Sequence, residues 1–269
     1  MLLQNKVAII TGAARGIGRG IAVKFAEEGC SCVVADILEK EAAVTVAKIA
    51  DRGQKGLFVE CDVSDSRRVS AMVDRATSEF GHVDILVNNA SIGGTPKFIT
   101  DKTEEEWDRL LAINLKGMFL CSKAIVPHMI ARKHGKIINI SSVQAISPPA
   151  PNIEYSASKA GILGLTLDLA FELAPLGICV NAILPGAVPT DMWNIVPPGV
   201  DRERFFAEVG KVIAPMQRCG TPEDIAGAAI FLASDLSNYV TGDRIIVAGG
   251  APLLVSSSTD GKFFGTGHQ

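Results

Sequence analysis

The sequence has few aromatic residues and no strong excess of either charge. Only 6% of its 269 residues are aromatic, with two tyrosines and two tryptophans, and the formal net charge is −3. Nucleic-acid-binding surfaces and membrane-binding segments carry a marked excess of Lys and Arg, so this balance argues against both kinds of partner. With 48% hydrophobic residues, the chain can bury the core of one large α/β domain.

Metal-binding and targeting patterns are also lacking. The six cysteines form no CxxC pair and the four histidines are isolated, so the sequence predicts buried, reduced thiols and no metal site. Pro, Gly or polar residues interrupt each apolar run before membrane-spanning length, and the first residues lack the pattern of a secretory signal. We therefore expect a cytoplasmic protein.

Short β-branched runs alternate with longer amphipathic segments through most of the chain. The strand-like runs, such as KVAII and CSCVVAD, are almost continuously apolar, as parallel strands covered on both faces are. The alternation predicts a single-domain α/β fold, a Rossmann-type doubly wound parallel sheet with helices on both faces. We assign residues 1–250 to this domain, 187–220 within it to an irregular lid, and 251–269 to a C-terminal tail.

A glycine-rich turn, TGAARGIG, follows the first predicted strand and contains Gly12, Gly16 and Gly18. Glycine lets the backbone approach a diphosphate, whose charge is stabilised by the N-terminus of the next helix. The turn has no Gly-Lys-Ser/Thr, so an ATP-type loop is not indicated. The pattern predicts a dinucleotide site.

Asp36 ends the second predicted strand, where a dinucleotide fold places the acid that binds the ribose hydroxyls, about 20 residues beyond the turn. A carboxylate there would repel a 2′-phosphate, so we expect NAD. Arg15 argues the other way, because a guanidinium beside the turn could bind a phosphate, and NADP stays the alternative.

One of the two tyrosines lies four residues before a lysine in the segment EYSASKAG. Positions four apart share a helix face, so Tyr155 and Lys159 should point the same way. A free phenol has a pKa of about 10. A nearby ammonium stabilises the phenolate, and we expect Lys159 to lower the pKa of Tyr155 so that the phenol can exchange a proton with an alcohol or ketone.

Several motifs, in order along the chain, resemble the short-chain dehydrogenase/reductase family. They are TGAARGIG, CDV, NNAS, IN at Asn114, ISS, YSASK and PGAVPT, and the resemblance covers Lys6 to about Gly250. It implies a nicotinamide-dependent oxidoreductase that interconverts a small-molecule alcohol and a ketone, and a homotetramer.

The resemblance implies four catalytic residues. Tyr155 matches the acid/base, and Lys159 matches the residue that lowers its pKa and binds the nicotinamide ribose. Ser142 matches the hydroxyl that holds the substrate oxygen, and Asn114 the anchor of a water in a proton relay. The resemblance also implies a set of cofactor-binding residues, which includes Tyr155, Lys159 and the residues of the glycine-rich turn. The full set is Gly12, Arg15, Gly16, Ile17, Gly18, Asp36, Asp62, Val63, Asn88, Ala90, Tyr155, Lys159, Pro185, Gly186, Val188 and Thr190.

The substrate is the least determined part of the prediction. Besides Ser142 and Tyr155, we expect Gln144 and Asn152, which flank the catalytic residues, and Trp193 of the apolar lid to line the substrate site. Phe263 and Phe264 in the tail could dock on a neighbouring subunit near its active site, or the tail could be a flexible end.

Three alternatives to an NAD-dependent alcohol dehydrogenase stay open. The first is an NADP-dependent 3-oxoacyl reductase; in these relatives a basic residue that docks the carrier protein commonly stands where this chain has Leu176. The second is a non-catalytic cofactor-sensing protein. The third is an epimerase or dehydratase that uses the same Tyr-Lys pair.

Overall fold

The computed structural model of the protein describes residues 1–148, 151–190, 196–197 and 199–253. Trp193, predicted to line the substrate site, and the tail phenylalanines Phe263 and Phe264 lie outside these residues.

A sheet of seven parallel strands forms the centre of the described chain, in the order β3-β2-β1-β4-β5-β6-β7. The order reverses direction between β1 and β4, which is the topological switch point at which doubly wound folds bind ligands. The predicted Rossmann-type fold class is confirmed. The strands are β1 Val7–Thr11, β2 Ser31–Asp36, β3 Gly56–Glu60, β4 Ile85–Asn88, β5 Gly135–Ile140, β6 Ile178–Pro185 and β7 Arg244–Val247.

Helices cover both faces of the sheet because successive strand residues point to opposite sides. In β1, Ala8 and Ile10 pack under α1, α2 and α8, whereas Val7 and Ile9 pack under α3, α5 and α6. The helices are α1 Gly16–Glu27, α2 Glu39–Ala50, α3 Ser66–Phe80, α4 Glu104–Leu111, α5 Gly117–Arg132, α6 Ile153–Leu173, α7 Arg202–Ile213 and α8 Pro222–Ala233.

The two outermost strands depart from the expectation of fully buried apolar runs. The described strands β1 and β4 are buried at every position, whereas β3 is only partly buried and β7 alternates exposed and half-buried residues. Each outer strand has a neighbour on one side only, so less of its surface is covered.

One continuous helical stretch corrects the expectation that no apolar segment reaches membrane-spanning length. Glu104–Arg132 contains 29 residues, and its most apolar window has a mean hydropathy of 1.4. The length arises because α4, a π-helical turn at Ala112–Lys116 and α5 follow one another without a break. Cys121, Ile125 and Met129 of α5 pack in the core beneath the sheet, so a helix of a globular domain accounts for the composition.

Candidate active site

The glycine-rich turn is a main-chain cradle at the carboxyl end of β1. Gly12 and Gly16 have φ values of +63° and +58°, which residues with a Cβ rarely adopt. A Cβ on Gly12 would lie 2.8 Å from the Cα of Ala90, so the turn after β4 closes directly on the turn after β1. Glycine at these positions lets the neighbouring segments pack against the turn where a Cβ would collide with them.

Asn89, which the sequence prediction missed, ties the two turns together. Its Nδ2 donates to the carbonyl oxygens of Thr11 (2.9 Å) and Gly12 (3.0 Å), and the hydroxyl oxygen of Thr11 accepts from the N–H of Asn89 and Ala90, each at 3.0 Å. A Cβ on Gly18 would lie 2.6 Å from Asn89 Nδ2, so no side chain fits there. The paired asparagines of the NNAS motif were the available signal for this role.

Asn88 does not present its side chain to the cradle as the sequence prediction implied. It is buried, and its Nδ2 donates to Ser122 Oγ at 3.1 Å and to Asn139 Oδ1 at 2.9 Å. Strand periodicity explains the difference, because neighbouring residues on a strand point to opposite faces. Asn88 joins helix α5 to the sheet core, and Asn89 holds the cradle.

Helix α1 begins at Gly16 and presents its first turn to the cradle. Arg15 precedes it in an extended conformation (φ −157°), and no side chain caps the first N–H groups. Unpaired N–H groups and the positive end of the helix dipole stabilise a bound anion. Ile17 is the second residue of the helix, so its N–H belongs to this uncapped first turn, and its contact with a diphosphate stays a prediction.

Asp36 is buried at the end of β2 with its carboxylate beside the same turn. One oxygen accepts from the Ala14 N–H at 2.9 Å, and the other accepts from Ile37 at 2.8 Å and Leu38 at 3.1 Å. The backbone therefore fixes the position of this negative charge. Oδ2, which among the described residues accepts only from the Ala14 N–H, keeps a lone pair with which it can accept from a ribose hydroxyl.

Asp62 and Val63 follow β3, the strand at one edge of the sheet. Asp62 Oδ1 accepts from the N–H and hydroxyl of Ser64 at 2.9 and 2.7 Å, which fixes the turn. Val63 is buried, and a Cβ on Gly117 would lie 2.7 Å from its Cγ2.

The segment leaving β6 reaches the cradle from the other side. Gly186 follows Pro185 and donates to Val247 O at 2.9 Å, and Val188 beyond it is buried. A Cβ on Gly16 would lie 3.2 Å from Cγ2 of Thr190, so this segment borders the glycine-rich turn. A glycine turn with positive φ values, a helix start without a side-chain cap and a fixed carboxylate fit a dinucleotide cofactor.

Tyr155 and Lys159 lie on the same face of α6, as their spacing predicts. Nζ of Lys159 is 5.4 Å from the centre of the Tyr155 ring and donates to Ile140 O at 3.0 Å. Lys159 is buried at 2% exposure, whereas Tyr155 is partly exposed.

The pKa values of this pair contradict the sequence expectation. Burial raises the pKa of Tyr155 to about 12, and a hydrogen bond with Ser142 opposes the rise. Burial lowers the pKa of Lys159 to about 7. Desolvation penalises the charged form of each group and exceeds the attraction expected between them. At neutral pH the phenol therefore holds its proton, and the amine exchanges one readily.

The two serines that follow β5 have different roles. Ser142 has an extended backbone, its hydroxyl accepts from the Gln144 N–H at 3.1 Å, and it is the serine whose side chain opposes the rise in the pKa of Tyr155. Ser141 instead donates to the carbonyl oxygen of Lys159 at 2.8 Å. The role of Ser142 as the reactive hydroxyl stays a prediction, and the bond that Ser141 makes elsewhere favours Ser142 over it.

Asn114 is fully buried in the π-helical turn between α4 and α5. Its Oδ1 accepts from the Ile92 N–H at 2.9 Å, and its Nδ2 donates to Ile92 O at 3.0 Å and to Ser158 Oγ at 3.4 Å. π-Helical turns are rare in proteins, and those that do occur lie frequently at functional sites. Asn114 thus links the chain after β4 to the helix that carries Tyr155.

Unpaired acceptor atoms surround the first turn of α6. Within the part of the chain that the structure describes, the buried Oε1 of Gln144 and Oδ1 of Asn152 have no hydrogen-bond partner. Oε2 of Glu154 and the hydroxyl of Ser156 are also buried without a partner there. Unpaired buried acceptors are costly, and a substrate or water that donates hydrogen bonds would satisfy them.

Comparisons with known proteins agree with this geometry. The family described as enoyl-(acyl carrier protein) reductase matches residues 12–252. The chain is 40% identical to the (2S)-(R)-hydroxy(phenyl)methylsuccinyl-CoA dehydrogenase subunit BbsD of Thauera aromatica, covering 94% of this chain and 99% of that protein. It is also 40% identical to a 3-oxoacyl-(acyl-carrier-protein) reductase of Staphylococcus aureus, covering 92% and 98%.

Among solved structures, carveol dehydrogenase from Mycobacterium avium in complex with NAD superposes with a TM-score of 0.87. That protein is 32% identical, and the match covers 94% of this chain and 99% of the other.

Proposed function

Because the chain belongs to the short-chain dehydrogenase/reductase family, we propose that it is an NAD-dependent oxidoreductase that interconverts a secondary alcohol and a ketone. The observation that carries the proposal is the Tyr155–Lys159 pair: both side chains lie on one face of α6, and the side chain of Ser142 opposes the rise in the pKa of the phenol. When bound, a nicotinamide cofactor supplies the hydride acceptor or donor.

The protein's residues supply proton transfer and orientation. In the reduction direction, the protonated phenol of Tyr155 donates to the ketone oxygen, and Ser142 holds that oxygen as charge develops. The ammonium form of Lys159, whose pKa is lowered to about 7, then returns a proton to the phenolate. In the oxidation direction the neutral amine of Lys159 first takes the proton of the phenol, and the phenolate then accepts the proton of the alcohol. Asn114 holds the segments that border this path and is the proposed anchor of the relay.

Asp36 supports NAD over NADP. Three backbone N–H groups hold its carboxylate beside the cradle, where a 2′-phosphate would add a second negative charge. Arg15 is the one nearby cation in the predicted cofactor-binding set outside the catalytic pair, and it is exposed. The NAD-bound carveol dehydrogenase relative is consistent with this preference.

The second candidate is an NADP-dependent 3-oxoacyl reductase. The relative from Staphylococcus aureus, with 40% identity, favours it. Asp36 and Leu176, which is 38% exposed and carries no charge for an acidic carrier protein, favour the first candidate.

We also propose a homo-oligomer in the cytoplasm. Phe119, Leu167 and Phe171 on α5 and α6 are 46%, 58% and 88% exposed. A cavity of about 640 Å³ beside them is lined by Leu115, Phe119 and Leu165. Apolar surface of this kind is typical of subunit contacts, and all six cysteines are free thiols, as a reducing compartment keeps them. Light scattering would give the number of subunits.

A screen of secondary alcohols and ketones with NAD(H) and NADP(H) tests the function. With an alcohol deuterated at the carbinol carbon, deuterium should appear in the recovered reduced cofactor, and NAD should be preferred. Conversion without net redox change would instead favour an epimerase or dehydratase. Tight cofactor binding without any turnover would favour a cofactor-sensing protein.

A further inference from the structure

The chain between β4 and α4 lies over the start of the catalytic helix. We call Ile92–Lys102 the 92–102 loop. At one end, Asn114 holds both the N–H and the carbonyl oxygen of Ile92. Near its middle, a Cβ on Gly94 would overlap Asn152 Oδ1 and lie 2.5 Å from Glu154 Oε1. The loop backbone therefore packs directly on the first turn of α6.

A buried ion pair holds the other end of this loop. Nζ of Lys102 contacts Oε1 of Glu154, and their side chains are only 8% and 3% exposed. The same ammonium donates to Thr95 O within the loop. Glu154 immediately precedes Tyr155, so one contact joins the loop to the residue next to the reacting phenol.

Burial makes this pair different from the ion pairs on the protein surface. Removing two charges from water costs several kcal/mol per ion in proteins, and breaking such a pair leaves the remaining charge uncompensated. Among the described residues Oε2 of Glu154 has no hydrogen-bond partner, so Lys102 is the main compensation for this carboxylate. A pair that is so costly and placed beside the catalytic residue calls for a role beyond stability.

We propose that Lys102 and Glu154 are positioning residues that fix the 92–102 loop on α6 and thereby hold Tyr155 at the distance and orientation that proton transfer needs. Lys102 also cancels a carboxylate charge that would otherwise disfavour a phenolate one residue away. The catalytic part of this inference rests on the proposed function, whereas the clamping of the loop does not.

The Lys97–Glu106 pair supplies a matched control. It attaches the same loop to α4 at 2.5 Å, but its side chains are 36% and 33% exposed. Ion pairs with this much solvent around them contribute little to stability. Lys97→Met removes the same charge from the same loop without leaving a buried carboxylate unpaired.

Three variants test the pair: Lys102→Met, Glu154→Gln, and the double variant Lys102→Glu/Glu154→Lys, which reverses the two charges. Lys97→Met and the wild type are the controls. Hydrogen exchange of peptides from 92–102 reports the clamp, NADH titration reports the cofactor side, and kcat at saturating cofactor reports the positioning. Lys102→Met should speed exchange in the loop and lower kcat by about ten- to a hundredfold, with the NADH Kd unchanged.

Lys97→Met should match the wild type, and the charge reversal should recover part of the lost kcat. Wild-type kcat and wild-type exchange in Lys102→Met would overturn the proposal, as would an equal loss in Lys97→Met. If Lys102→Met does not fold, Glu154→Gln decides in the same way, because it keeps the shape of the side chain. A wild-type protein without turnover would reject the proposed function, and the exchange rates would still test the clamp.

Discussion

The two sides of the candidate site are built from different parts of the chain. The cofactor side is a main-chain cradle, in which Gly12 and Gly16 have positive φ values and Asn89 bonds to backbone carbonyls. The substrate side depends on buried side chains from distant segments, such as Lys102 with Glu154. The first side is therefore sensitive to an added Cβ, whereas the second is sensitive to charge and its compensation.

The largest difference is expected for Lys159 on the substrate side. Burial lowers its pKa from 10.5 to about 7 in the folded protein, so between these values only the unfolded chain holds the proton. Unfolding then takes up a proton and becomes less favourable as the pH rises. Folded-state stability should therefore rise with pH across this window, by at most ~1.4 kcal/mol per pH unit.

Lys159→Met should lack this rise, and urea unfolding of cofactor-free protein at several pH values would measure it. The difference between wild type and variant cancels the titration of other groups. Parallel stability curves for the two proteins would show that Lys159 is not desolvated, and the contrast between the two sides would be lost.

The next effect is expected on the cofactor side, for Gly18→Ala. The added Cβ would lie 2.6 Å from Asn89 Nδ2, and overpacking of this kind costs about 1–3 kcal/mol. The Kd for NADH should rise by roughly ten- to a hundredfold, measured by fluorescence titration.

Gly227→Ala is the matched control for that substitution. It lies in α8 with nothing within 4 Å of the added Cβ, and it should stabilise the fold by roughly 0.5–1 kcal/mol without changing cofactor affinity. An unchanged NADH Kd in Gly18→Ala would contradict the cradle.

The smallest of these effects concerns the charge of Asp36. Asp36→Asn removes the charge that opposes a 2′-phosphate, and the preference for NAD over NADP should narrow by about tenfold, or ~1.4 kcal/mol. Glu39→Gln, an exposed acid in the first turn of α2, makes the same change of charge nearby and should leave the ratio unaltered. A wild type that prefers NADPH would reject the role given to Asp36.

Sequence alone predicted the fold class. It also indicated the glycine-rich turn and the acid at the end of β2, because glycine positions and strand ends are local features. Gly12, Gly18 and Asp36 lie where the pattern placed them. The exchange of roles between Asn88 and Asn89 depends on which face of the strand each residue occupies.

The substrate side was less accessible to prediction. The pairing of Lys102 with Glu154 spans 52 residues, so no local spacing indicates it. The sequence also suggested that Lys159 lowers the pKa of Tyr155, whereas the pKa is raised because burial dominates. Spacing gives the direction of two side chains but not how much water surrounds them.

The role of Tyr155 as the proton-transfer group is tested most directly by measuring NADH binding and turnover together on Tyr155→Phe, with a substrate found by the alcohol screen. We expect an NADH Kd close to that of the wild type and a kcat lower by about 10²- to 10⁴-fold, since only proton transfer is removed. A Tyr155→Phe protein that turns over at the wild-type rate would contradict it.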